Sequence, residues 1–197
     1  MNYEQAGVSI KQADRWVKSL TQMVKPTFNS NVKTQVGGYA ALYALNSQNW
    51  LASATDGVGT KLKLAFDLDL HHTVGIDLVA MSVNDLICVG AKPLFFLDYL
   101  ATGKLKPKVA KQVLTGIIEG CRQADCALVG GETAEMPDFY SKGEYDLAGF
   151  AVGLVEKKKV YPKQNIKPGD ILIGIGSSGF HSNGYSLLRK LLPKGAK

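Results

Sequence analysis

The sequence predicts an α/β protein of the α+β type, in which helices cover a mixed sheet. Apolar runs of strand length recur along the chain, stretches of helical period alternate with them, and two of the strands lead into glycine-rich turns that carry carboxylates. The 197 residues, 46% of them hydrophobic, suffice for one domain and part of another. No apolar run approaches the ~20 residues that span a bilayer, and the first residues lack a basic and apolar leader, so the expectation is a cytoplasmic protein without membrane contact. Cys88, Cys121 and Cys126 are odd in number, lack a CxxC spacing and have apolar neighbours, which predicts buried reduced thiols. The net charge of +6 is spread along the chain, with Lys157 to Lys159 the one run, and no aromatic-rich basic stripe points to nucleic acid.

Residues 11–24 carry Trp16, Val17, Leu20 and Val24 at helical spacing, a surface helix ended by Lys25-Pro26. Residues 36–45 read as a strand with paired glycines, 46–49 as a turn and 50–54 as its hairpin partner. That second strand delivers Thr-Asp-Gly-Val-Gly-Thr-Lys at 55–61. Glycines let backbone N–H groups approach an anion, a carboxylate can hold Mg²⁺, and a lysine puts a point charge on a phosphate. The same seven residues also describe an ordinary glycine turn with a solvated Asp and Lys.

Residues 73–89 are apolar nearly all round, as in a buried helix, except for Asp77, Asn84 and Asp85. Asp77 and Asn84, seven positions apart, fall within about 20° of one face. A buried carboxylate needs a cation or a hydrogen-bonded partner, so these residues mark an ion site or a satisfied polar seam. Residues 93–102 form a strand with Asp98 among apolar neighbours, and 107–124 a helix over the sheet. A strand from Cys126 then runs into Gly-Gly-Glu-Thr-Ala-Glu at 130–135, repeating the plan of the Asp56 stretch, so both ends are expected to converge on one cleft and one cation. A strand at 146–156 precedes a polar Pro-Gly segment at 162–170, the expected boundary between domains 1–165 and 166–197. Beyond it come a strand at 171–175, a glycine and serine loop at 176–182 and a helix at 183–192. Ser177, Ser178, His181, Ser182 and Asn183 suit a cradle for a phosphate or sugar. There is no GxxxxGK[ST], so ATP, if bound, is held outside the P-loop scheme.

Several stretches together resemble the phosphoribosylformylglycinamidine cyclo-ligase family, also called aminoimidazole ribonucleotide synthetases. They are Thr-Asp-Gly-Val-Gly-Thr-Lys at 55–61, Gly-Ile-Asp-Leu-Val-Ala-Met at 75–81, Phe-Leu-Asp-Tyr at 96–99, Gly-Gly-Glu-Thr-Ala-Glu-Met at 130–136 and His-Ser-Asn-Gly-Tyr-Ser-Leu at 181–187. The resemblance implies ATP and Mg²⁺, leaves room for K⁺, and implies a homodimer whose N-terminal domains share a β-barrel. It implies phosphorylation of the formyl oxygen of formylglycinamidine ribonucleotide, then attack by the amidine nitrogen and loss of phosphate in purine biosynthesis. By motif, Asp56, Asp85 and Glu132 are the implied metal ligands. Thr55, Gly57, Gly59, Thr60, Lys61, Asp77 and Asn84 are the implied ATP and phosphate contacts. Ser178, His181, Ser182 and Asn183 are the implied substrate contacts, and His181 and Asp98 the catalytic candidates. Ser9 stands where the family usually has Asp. Thiamine-monophosphate kinases and selenophosphate synthetases would share the metal acids but fit 96–99 and 181–187 poorly. A non-catalytic nucleotide-binding and dimerisation module of the same family is the alternative from another class.

Overall fold

A computed structural model describes residues 1–160 and 165–192. Five strands, β1 (Ala41–Ala44), β2 (Asn49–Gly57), β3 (Lys92–Thr102), β4 (Ala127–Glu135) and β5 (Tyr145–Glu156), form one sheet in the order β1-β2-β5-β3-β4. β1 and β2 are the expected hairpin, and β5 pairs antiparallel with both β2 and β3. β3 and β4 alone are parallel, and a parallel pair needs a crossover, here a helix. The helices are α1 (Ile10–Val24), α2 (Leu62–Leu68), α3 (Val74–Cys88), α4 (Pro107–Gln123), which makes that crossover, and α5 (Tyr185–Leu191).

Strand periodicity sorts the sheet into two faces. Leu42, Ala52, Ala54, Phe96, Leu100, Leu147, Ala151 and Val155 lie on the face that α3 and α4 cover, and all are buried. The two helices cross closely because Gly75 and Gly116 meet there. A Cβ on Gly116 would overlap the His72 carbonyl oxygen, and one on Gly75 the α4 backbone. The opposite face is open, and Tyr43, Tyr99 and Phe150 are exposed on it. This antiparallel-type exposure of one face is the usual condition of a sheet whose helices lie on one side.

The structure departs from the sequence expectation at several elements. Only Ala41–Ala44 of the expected strand at 36–45 is extended, because Gly37 adopts φ +97 in a turn against Val17 of α1. Strand pairing carries β2 through Asp56 to Gly57 and β4 through Glu132 to Glu135, so the second expected turn and the first three residues of the first are ladder residues, and Gly59–Lys61 form a 3₁₀ turn. A short helix, α2, follows the Lys61 turn and ends at Asp69, which takes φ 49. α3 is buried on one face rather than all round, and its last residue, Cys88, is exposed, unlike the expected buried thiol. Residues 171–175 form no strand, since among the described residues no backbone hydrogen bond joins them to another segment. Helix α5 starts two residues later than expected, after Gly184 at φ 84. Part of the expected boundary segment, 162–164, and the end of the expected second domain, 193–197, lie outside the described residues.

Candidate nucleotide and metal site

The register of the sheet aligns one row of residues across four strands: Asp56 of β2, Gly149 of β5, Asp98 of β3 and Gly131 of β4. Residues paired in register share a face. A Cβ on Gly149 would overlap the Phe96 ring and approach Ser82 Oγ to 3.2 Å, so the row faces α3. Asp56 and Asp98 therefore flank a position kept free of a side chain, beneath a helix. Ser82 is fully buried, and its Oγ has no hydrogen-bond partner among the described residues. A buried hydroxyl without a partner costs about 1–3 kcal/mol, so its retention calls for a reason.

One helical turn after Ser82 stands Asp85. Burial, and then the neighbouring charge of Asp56, push its carboxyl above the ordinary carboxylate range. Asp56 turns its Oδ1 to the Gly57 N–H at 2.7 Å. Burial likewise raises Asp98, whose carboxylate fills the space a side chain on Gly131 would need. Asp56 and Asp85, close enough for the charge of one to act on the other, make a hard oxygen donor set of the kind Mg²⁺ takes. Glu132 is placed elsewhere. It pairs with Tyr99, on the open face, where Thr55, Leu97, Tyr99, Glu132, Ala148 and Phe150, together with Asp98, Gly131 and Gly149, line a groove of about 360 Å³. Among the described residues no three His, Cys, Asp or Glu side chains gather as a metal cluster. The expected convergence of Asp56, Asp85 and Glu132 on one cation is thus not formed within this chain: strand alternation puts Glu132 behind the sheet.

Lys61 closes the 3₁₀ turn Gly59–Lys61 and is drawn inward rather than left in solvent. Its Nζ lies 2.7 Å from Asp77 Oδ2, off the direction of a hydrogen bond, and donates to the His181 carbonyl at 2.9 Å. Ser182 Oγ donates to the other Asp77 oxygen at 2.8 Å, and Asn183 Nδ2 reaches Met81 Sδ at 3.7 Å. The structure thereby brings together Lys61, Asp77, Ser182 and Asn183 from the expected phosphate and substrate sets. Gly59, Thr60 and Asn84 are exposed nearby in sequence, and Thr55 Oγ1 donates to the Gly149 carbonyl at 2.9 Å. Ser178 is exposed, while the exposed His181 ring meets Ser177 Oγ at 3.3 Å. Sequence reasoning missed Ser82, whose hydroxyl is unremarkable within an apolar run, and Tyr185, whose ring centroid lies 5.2 Å from Lys61 Nζ.

Residues 37–155 match the family model for the AIR synthase related protein, N-terminal domain. The chain is 59% identical over 194 residues to a phosphoribosylformylglycinamidine cyclo-ligase of Trichlorobacter lovleyi, covering 96% of this chain and 56% of that protein. It is 56% identical over 196 residues to the enzyme of the same name from Thermodesulfovibrio yellowstonii, covering 98% of this chain and 57% of that one. The chain spans about half the length of the curated relatives it matches. Among solved structures, tt0281 from Thermus thermophilus shares the fold at a TM-score of 0.58 and 20% identity, over 71% of this chain and 44% of that one. T. maritima PurL, solved in complex with ATP, does so at 0.55 and 20%, over 72% and 24%. With 119 consecutive positions (37 to 155) under one model, the chain belongs to the AIR synthase related family and contains its N-terminal domain.

Proposed function

We propose that this chain carries the ATP- and Mg²⁺-binding half of a cytoplasmic phosphoribosylformylglycinamidine cyclo-ligase, which closes formylglycinamidine ribonucleotide to aminoimidazole ribonucleotide with release of ADP and phosphate. The observation that carries this reading is the 59% identity to a relative of that name across 96% of the chain. The raised Asp85 beside Asp56 supports a divalent cation on α3 and the end of β2. Asp56 and Asp85 would hold Mg²⁺ there, and the ion would supply positive charge to offset that of the phosphates. Lys61 holds a phosphate oxygen as a point charge, Ser182 and Asn183 orient the substrate, and the exposed His181 imidazole is the proton-transfer candidate. An amide oxygen leaves poorly, and its phosphate ester leaves well, which is why the ring closure consumes ATP.

The open sheet face supports the homodimer. Tyr43, Tyr99 and Phe150 expose aromatic surface across three strands, and a partner's sheet laid on them would bury it and could bring Glu132 of a subunit to a shared cleft. We also place the domain boundary near residue 165, in keeping with the lack of regular structure from 166 to 184 beyond turns and bends. A second reading, nucleotide binding and dimerisation without turnover, is favoured by the exposed apolar stretch at 171–175.

Calorimetric titration of ATP with and without Mg²⁺, with a turnover assay on formylglycinamidine ribonucleotide, tests the proposal. Mg²⁺-dependent ATP binding is expected, lost in Asp56→Asn and Asp85→Asn with the circular dichroism unchanged. Unaltered affinity in both variants would reject the ion site, and binding without turnover would favour the second reading.

A further inference from the structure

We infer that residues 181–185 form a strap locked over Lys61 and that a phosphate-type anion and this strap compete for the same ammonium, an inference that rests on the proposed role of Lys61 as a phosphate contact. An ammonium has three N–H donors and no acceptor. Around Lys61 Nζ stand three groups: Asp77 Oδ2 at 2.7 Å, the His181 carbonyl at 2.9 Å and the Tyr185 ring centroid at 5.2 Å. Two of the three belong to the strap. With the strap seated, one N–H donor is spent on the His181 carbonyl and the Tyr185 ring and Asp77 carboxylate stand on two further sides, so a phosphate oxygen that takes the ammonium meets the strap.

Asp77 is the pivot of the lock. One of its oxygens faces Lys61 and the other accepts Ser182 Oγ at 2.8 Å, so a single carboxylate on α3 holds the lysine and the strap together. Ser182 is buried by this contact. Helix α5, which continues the strap, is itself tied to the N-terminal segment, where Lys190 Nζ reaches the Gln5 carbonyl at 3.3 Å. A phosphate arriving at Lys61 sets a second anion beside Asp77 and offers the ammonium a charged acceptor in place of a neutral carbonyl. Charged acceptors make the stronger hydrogen bonds, so the carbonyl of His181 gives way first. Repulsion of Asp77 then weakens its hold on Ser182. Anion binding and release of the strap are therefore one event. Asp77 is a positioning residue for Lys61 and a competitor of phosphate, rather than a phosphate contact.

Amide hydrogen exchange in Tyr185–Leu191 of the 197-residue chain, read by mass spectrometry with and without saturating pyrophosphate, tests the lock. In the wild type, pyrophosphate is expected to accelerate exchange about tenfold, the scale of one hydrogen bond to a charged acceptor. Ser182→Ala is expected to exchange that fast without ligand and to bind pyrophosphate about tenfold more tightly, while Ser182→Thr keeps the hydroxyl and behaves as wild type. Lys61→Met should abolish pyrophosphate binding. If pyrophosphate binds through Lys61 but exchange is unchanged or slowed, strap and anion do not compete and the lock is wrong. If neither wild type nor Ser182→Ala binds pyrophosphate, Lys61 is not a phosphate contact, and the reading beneath the lock falls with it.

Discussion

Asp98 sits half-buried in β3 with its carboxylate over Gly131, and burial lifts its carboxyl above the range it has in an unfolded chain. A carboxyl raised by folding binds its proton more tightly in the native state, so native stability falls as pH rises from the unfolded value near 3.9 through the raised one. Asp98→Asn removes that penalty. Thermal unfolding should show a midpoint a few degrees higher than wild type at pH 7, with the gap closing towards about pH 4. An equal gap at both pH values would mean that the charge of Asp98 costs nothing. The acids among glycines and apolar residues were legible because a lone carboxylate in such company is expensive. The pairing of Lys61 with Asp77 was not, since it depends on how α3 docks beside the Gly59–Lys61 turn. Nor was the side of the sheet that Glu132 takes, because the register of β4 on β3 shifts at Phe96 and Leu97, and one residue of slip exchanges the faces.

Among elements, the α3–α4 crossing is the most exacting contact. Gly116 lies where a Cβ would overlap the backbone carbonyl of His72, and backbone cannot swing aside as a side chain can. Gly116→Ala should destabilise the protein by about 1–3 kcal/mol, measured as a lower urea midpoint with unchanged slope, even though alanine is the better helix former. An unchanged midpoint would show that the two helices separate freely. The helices of long period were readable from sequence, α1 and α4 nearly to the residue, because their apolar spacing is local information. Strand ends were not. Asp56 precedes and Glu132 follows glycines that a local reading places in turns, whereas partners far along the chain, β5 for one and β3 for the other, extend the ladder through them.

At the scale of the molecule, the sheet face bearing Tyr43, Tyr99 and Phe150 and the stretch from Ile171 to Ile175 are apolar surfaces that stand open among the described residues. In the latter, Ile171, Leu172, Ile173 and Ile175 are 88%, 97%, 86% and 93% exposed. Unpaired apolar backbone of that length invites strand addition by another chain. Ile173→Lys should lower light scattering of concentrated protein severalfold and leave the melting temperature within a degree, as expected for a side chain outside the core. A fall in melting temperature would instead place Ile173 within the folded unit. The fold class and the hairpin were visible in the pattern of apolar runs, but the strand order was not, because nothing local announces that β5 inserts between β2 and β3. That insertion governs how the chain is born. β2 leaves the ribosome with one edge covered by β1 and the other bare, and β3 waits in the same way. Only when Glu156 emerges can it meet Asn49 and zip the halves together. At about 5–20 residues per second, the hairpin stands unfinished for roughly 5–20 s. Nascent chains of this protein therefore depend on whatever shields a bare strand edge during synthesis, and the last strand made is the one that ends that exposure.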